Sequence, residues 1–148
     1  MKTTNEIIRE LQEFIPVTDD PRTSNELLLD EILKDFYKNE DAKLIIPALF
    51  ELLEKYPEAD FGVPGPIIHT LESFEDDYEE HLFLSIKRKP VPMTILMLNR
   101  IVNASENLSE RTKYVQTLYY LSTMSDIDPT AKRDAHKFYK YQLSKESR

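Results

Sequence analysis

His69 and Glu72 stand three residues apart, a spacing that places an imidazole and a carboxylate on one helical face where they could share a metal ion. A metal centre usually needs three or four converging donors, and His81 and His136 are remote in sequence. His69 is therefore read as capping or packing beside the glycine-proline turn, and no metal is expected. Richer in charge is Glu75-Asp76-Asp77-Tyr78-Glu79-Glu80, five carboxylates around one tyrosine. Acidic residues suit the first turn of a helix for local reasons alone. The same run can also serve as an acidic docking surface, with Tyr78 as an amphipathic anchor and the carboxylates meeting a partner's lysines and arginines. Glu72, Glu75, Asp76, Asp77, Tyr78, Glu79 and Glu80 are the candidate partner-binding residues.

Other chemistries are excluded by what the chain lacks. It has no cysteine, which removes disulfides, thiolate metal sites and cysteine nucleophiles. No G-x-S-x-G elbow is present, and no pair of carboxylates stands apart from the charged faces around it. The two glycines, Gly62 and Gly65, share one segment, so a phosphate-cradling glycine loop is not expected elsewhere. Neither an enzyme nor a cofactor is expected. Arg133, Lys137 and Lys140 interleave with Phe138, Tyr139 and Tyr141 near the C-terminus, a pattern that can bind single-stranded nucleic acid. Helix packing and the helix dipole explain these residues as well, and no nucleic-acid partner is expected.

Charge is divided unevenly along the 148 residues, whose net formal charge is −8. Up to Glu80 there are 21 acidic and seven basic side chains, leaving −14; from His81 onward six acidic and 12 basic side chains leave +6. A fold that keeps these parts in different regions has an acidic side that attracts basic partners and repels phosphate backbones.

The elements that must position these residues read as helices. With 41% hydrophobic residues spread along the chain, a single globular domain over residues 1–148 is expected. Ile7, Ile8, Leu11 and Phe14 line one side of a short helix over Asn5 to Ile15. Thr23-Ser24-Asn25-Glu26 has the capping-box form and opens a helix predicted to end near Asn39. A third pattern spans Asp41 to Tyr56, where Pro47 either kinks the helix or marks its first turn.

The segment from Pro57 to Pro66 predicts an ordered turn with unusual torsions at Gly62 or Gly65. Beyond it, Pro66 opens a helix carrying Ile67, Ile68, Leu71 and Phe74, and another follows over Tyr78 to Arg88. His69, Glu72 and Asp76 are expected to share a face. Met93 to Val102 reads as a buried helix in which Asn99, Arg100 and Asn103 act as hydrogen-bond locks. Helices over Ser109 to Thr123 and from Asp128-Pro129 onward complete the chain. The fold class is all-α, with seven or eight short helices in a HEAT-like stack of helical hairpins or a compact orthogonal bundle; starts near Thr23, Pro66 and Pro92 favour the stack. Met1 to Phe14 mixes charged and apolar residues and matches neither a secretory signal nor a membrane span, so a cytoplasmic protein is expected.

The segment from Asp60 to Phe74, with Ser85-Ile86-Lys87-Arg88-Lys89-Pro90 and Met97-Leu98-Asn99-Arg100-Ile101, resembles small helical bacterial immunity proteins that neutralise contact-dependent or other polymorphic toxins. The resemblance covers about the middle third of the chain and is most specific in its glycine-proline-histidine block. It implies a cytoplasmic inhibitor of a cognate toxin, and it transfers no toxin-contact residue to this sequence. Combined with the charge, it leads to an acidic surface covering a basic active site, such as that of a nuclease. The alternative is a helical-repeat adaptor that binds another protein along a concave face. A gene immediately downstream of a large secreted toxin gene would favour the inhibitor, and a housekeeping context the adaptor.

Overall fold

Thr3 begins the first helix by accepting a hydrogen bond from the Glu6 amide at 3.1 Å, and α1 (Thr4–Glu13) then buries Ile7 and Leu11. The computed structural model describes residues 1–146, and among them the chain is all-α, with eight α-helices and short 3-10 turns. It forms two compact units, Met1–His81 and the part from Leu82 onward.

In the first unit, α1 packs on α3 (Ile46–Lys55), while α2 (Asn25–Ile32) packs on α4 (Gly65–Ser73). Leu29, Leu49, Ile67, Ile68 and Leu71 are fully buried. The start of α2 differs from the expected capping box by one residue. Ser24, not Thr23, is the cap, its hydroxyl accepting from the Leu27 amide at 3.2 Å, so Glu26 lies one position too early to reach back. Asn25 sets this register. Buried at the first helical position, its amide donates to the Val17 and Asp60 carbonyls at 3.2 and 2.9 Å and accepts from the Val17 amide at 2.7 Å.

The helix predicted to run to Asn39 stops at Ile32 instead. Asp35 adopts a left-handed backbone, with φ of 60°, and a 3-10 turn over Phe36–Lys38 follows. Phe36 thereby lies against Phe74, their ring centroids 5.7 Å apart. Pro47 falls in the first turn of α3, behind a 3-10 turn over Ala42–Ile45, where its missing N–H costs no helical hydrogen bond.

The boundary between the units falls within α5 (Asp76–Arg88). In the second unit, α6 (Pro92–Ala104), α7 (Leu108–Thr123) and α8 (Pro129–Glu146) pack pairwise against one another. Each start has a local cause. The Thr94 hydroxyl bonds both the amide and the carbonyl of Val91, Asn107 accepts from the Glu110 amide at 3.0 Å, and Asp128 accepts from the Ala131 amide at 2.9 Å. On α8, partial burial raises the Asp134 carboxyl pKa above the ordinary value, against the opposing pull of Arg133 and Lys137.

A polar network joins all three helices. Gln142 of α8, wholly buried, donates to Asn99 and Asn103 of α6 at 2.8 Å each and accepts from the Arg111 guanidinium of α7 at 2.7 Å. Arg111 also pairs with Glu146 at 2.6 Å, and Lys145 donates to Asn103 at 3.3 Å. Asn99 and Asn103 therefore tie α6 to α8. No helix among the described residues is long and apolar enough to cross a membrane.

Candidate functional site

The charge division and the structural division coincide. The unit ending at His81 holds the excess of carboxylates, and the unit beginning at Leu82 holds the excess of cations. Within the acidic unit, cations pair with local carboxylates, among them Lys2 with Glu10 at 2.8 Å, Arg22 with Asp20 at 3.2 Å and Lys38 with Asp35 at 3.5 Å. The backbone amide and side chain of Arg22 hold the Asp20 carboxyl below its ordinary pKa. Seven basic residues cannot neutralise 21 acidic ones however they pair, so this unit presents a strong negative field at neutral pH.

The predicted acidic run lies at the turn between α4 and α5. Glu75, Asp76, Asp77 and Glu80 are exposed, and Glu72 and Glu79 are half-buried. Tyr78 differs from its expected role. It is only 8% exposed, so its ring belongs to the core and is not offered as an anchor; spacing along α5 turns it inward while its acidic neighbours face water. Asp76 and Asp77 occupy the first turn of α5, where the helix dipole favours them. Asp76 begins a new helix and does not continue the α4 face of His69 and Glu72.

Glu75 is held in a left-handed conformation, with φ of 48°, between the two helices. A glutamate there costs about 1 kcal/mol relative to glycine. Local stability would favour glycine, and the position instead carries a carboxylate. Glu75→Gly is expected to leave folding unharmed or to stabilise it by about 0.5–1 kcal/mol, measured by urea denaturation. A loss of stability would show that the Glu75 side chain is needed by the fold.

A second acidic feature was not singled out in the sequence. A cavity of about 480 Å³ lies between α2, the Val63-Pro64 turn and α4, with Glu26 and Asp30 supplying carboxylates and Leu33, Phe36 and Pro66 supplying apolar wall. His69 is exposed and lines this cavity beside the turn. Such a lining suits a lysine or arginine side chain, whose aliphatic stem meets the apolar wall while its cation meets the carboxylates. In sequence Glu26 reads as part of a helix-capping motif and Asp30 as the polar face of α2. The turn that brings the cavity together was legible, but the closeness of its backbone to Glu26 was not.

Gly62 shapes that closeness. Its φ is +93°, and a side chain there would collide with the Glu26 carboxylate and come within 2.8 Å of the Gly65 Cα. Gly65, with φ of +78°, faces open space. Gly62→Ala is expected to destabilise the protein by about 2 kcal/mol or more and to displace Glu26, while Gly65→Ala costs about 1 kcal/mol from backbone strain alone. Equal midpoints in urea for the two variants would contradict this assignment.

Among the described residues no group of three or more histidine, aspartate or glutamate side chains is placed to hold a metal ion. On α8, Arg133, Lys137 and Lys140 are exposed, whereas Phe138 and Tyr139 are half-buried and Tyr139 packs on Tyr119 at 5.1 Å. No protein-family model, curated protein or solved structure matches this chain.

Proposed function

We propose that this protein is an immunity protein whose acidic unit binds a cognate bacterial toxin and covers its cationic active-site surface. The observation that supports this reading is the coincidence of charge with structure: a net −14 gathered on one compact unit, with Glu75, Asp76, Asp77 and Glu80 exposed at one helix junction. A toxin that cleaves nucleic acid must hold phosphates in a basic groove, and a folded acidic surface competes for that groove without bond-making of its own.

The carboxylates of the α4–α5 junction steer the encounter, and Glu72 and Glu79 extend the same patch. The cavity beside Glu26 and Asp30 then seats one basic side chain of the toxin. An interface of about 1,600 Å² is the ordinary size for such a complex. The test is copurification from the native cell followed by co-expression with the captured toxin. Growth should be protected by the wild-type protein, and a toxin whose effect is undiminished at stoichiometric expression would refute the reading.

A further inference from the structure

The second unit carries an apolar groove that the acidic surface does not use. Phe83, Ile86 and Lys87 of α5 face it at helical spacing from one side. From the other side Lys113, Tyr120 and Leu121 of α7 line it, with Met124 just past the end of that helix. The groove encloses about 470 Å³, within the range of specific binding sites. Ile86 and Leu121 form a buried floor, at 6% and 4% exposure, whereas Tyr120 is 73% exposed and Met124 39%. Phe83 is fixed by stacking on Tyr114, with centroids 5.5 Å apart and planes 16° apart.

The charges at the rim narrow the occupant. Among the described residues, Lys87 and Lys113, both exposed, are the charged ones lining the groove, and no carboxylate lines it. We infer that this groove is a docking site for an acidic amphipathic helix of a partner protein, with apolar side chains entering between α5 and α7 and flanking carboxylates meeting Lys87 and Lys113. The helical spacing of the lining residues on α5 and on α7 matches the one-turn spacing of anchors on an incoming helix. Methionine and tyrosine suit such a surface, the first because its flexible thioether adapts to varied side chains and the second because it combines apolar area with a polar tip. Two lysines are too few to hold a nucleic-acid backbone at physiological salt. The inference is independent of toxin binding, which is assigned to the other unit.

The experiment is a selection of displayed helical peptides against the immobilised full-length protein, with no toxin present. The wild-type protein should enrich peptides that carry leucine, phenylalanine or methionine one turn apart, flanked by glutamate or aspartate. Lys87→Glu combined with Lys113→Glu should weaken these peptides about tenfold or more, and reselection on that variant should enrich lysine and arginine flanks instead. Tyr120→Ala should also weaken them, by about tenfold. All three substitutions fall at exposed positions, and unchanged circular dichroism is expected. A wild-type selection without the acidic and apolar pattern would overturn the proposal, as would affinities indifferent to charge reversal. Equal competition by anionic lipid vesicles or by oligothymidylate would assign the groove to those ligands and overturn it too.

Discussion

Gln142→Ala is expected to lower the unfolding free energy of the second unit by about 3 kcal/mol, roughly a hundredfold in its folding equilibrium. The side chain is wholly buried, and three helices converge on it: Asn99 and Asn103 accept from its amide nitrogen, and Arg111 donates to its oxygen. Truncation strips buried Asn99 of its amide donor, removes a charge-assisted hydrogen bond from Arg111, and opens a cavity at the centre of α6, α7 and α8. Asn103 is exposed, so water can replace its contacts, and Asn103→Ala should cost less than about 1 kcal/mol. Pairing Gln142→Leu with Asn99→Leu should recover part of the loss, since Asn99 is then no longer orphaned while Arg111 keeps its pairing with Glu146. Amide hydrogen exchange along Ile95–Val102 reads the effect locally, which is preferable to a single global midpoint in a chain with two units. Equal exchange in the Gln142→Ala and Asn103→Ala variants would contradict the role given to the network.

Helix positions were largely legible because they depend on local pattern. Ile7 and Leu11, the first-turn prolines Pro47 and Pro66, and the Asp128-Pro129 start announce α1, α3, α4 and α8 through spacing and backbone chemistry alone. The end of α2 was not legible. Leu33, Phe36 and Tyr37 continue its helical spacing, yet the chain turns left-handed at Asp35, and Phe36 gains contact with Phe74 of a distant segment. Aromatic packing of that kind overrides local propensity. The cap at Ser24 was displaced for a similar reason, because Asn25 bonds to Val17 and Asp60 across loops that no short-range motif reveals.

For the site, the run from Glu75 to Glu80 could be read as acidic from composition, but the inward turn of Tyr78 depends on which face of α5 meets the core. The Glu26 and Asp30 cavity needed the fold to bring α2 beside α4. Conversely, Asn99 and Asn103 were marked by being polar in an apolar helix, while their partner Gln142 lies some forty residues further along the chain, where no short-range pattern links it to them. The coincidence of charge and structure was half visible. A count along the chain locates the change of sign near residue 80, and only folding shows that a compact unit ends there.

The decisive quantity is the association rate of the captured toxin with wild-type protein and with a variant carrying Glu75→Gln, Asp76→Asn, Asp77→Asn, Glu79→Gln and Glu80→Gln, followed across ionic strength. Asp76 and Asp77 also favour the first turn of α5, so unchanged helix content of the variant must be verified by circular dichroism. Steering by these carboxylates predicts fast, salt-sensitive association for the wild type and an association about ten- to a hundredfold slower at low salt for the variant, with a flattened salt dependence. Rates and salt slopes that stay the same after five negative charges are removed would contradict recognition through this acidic surface.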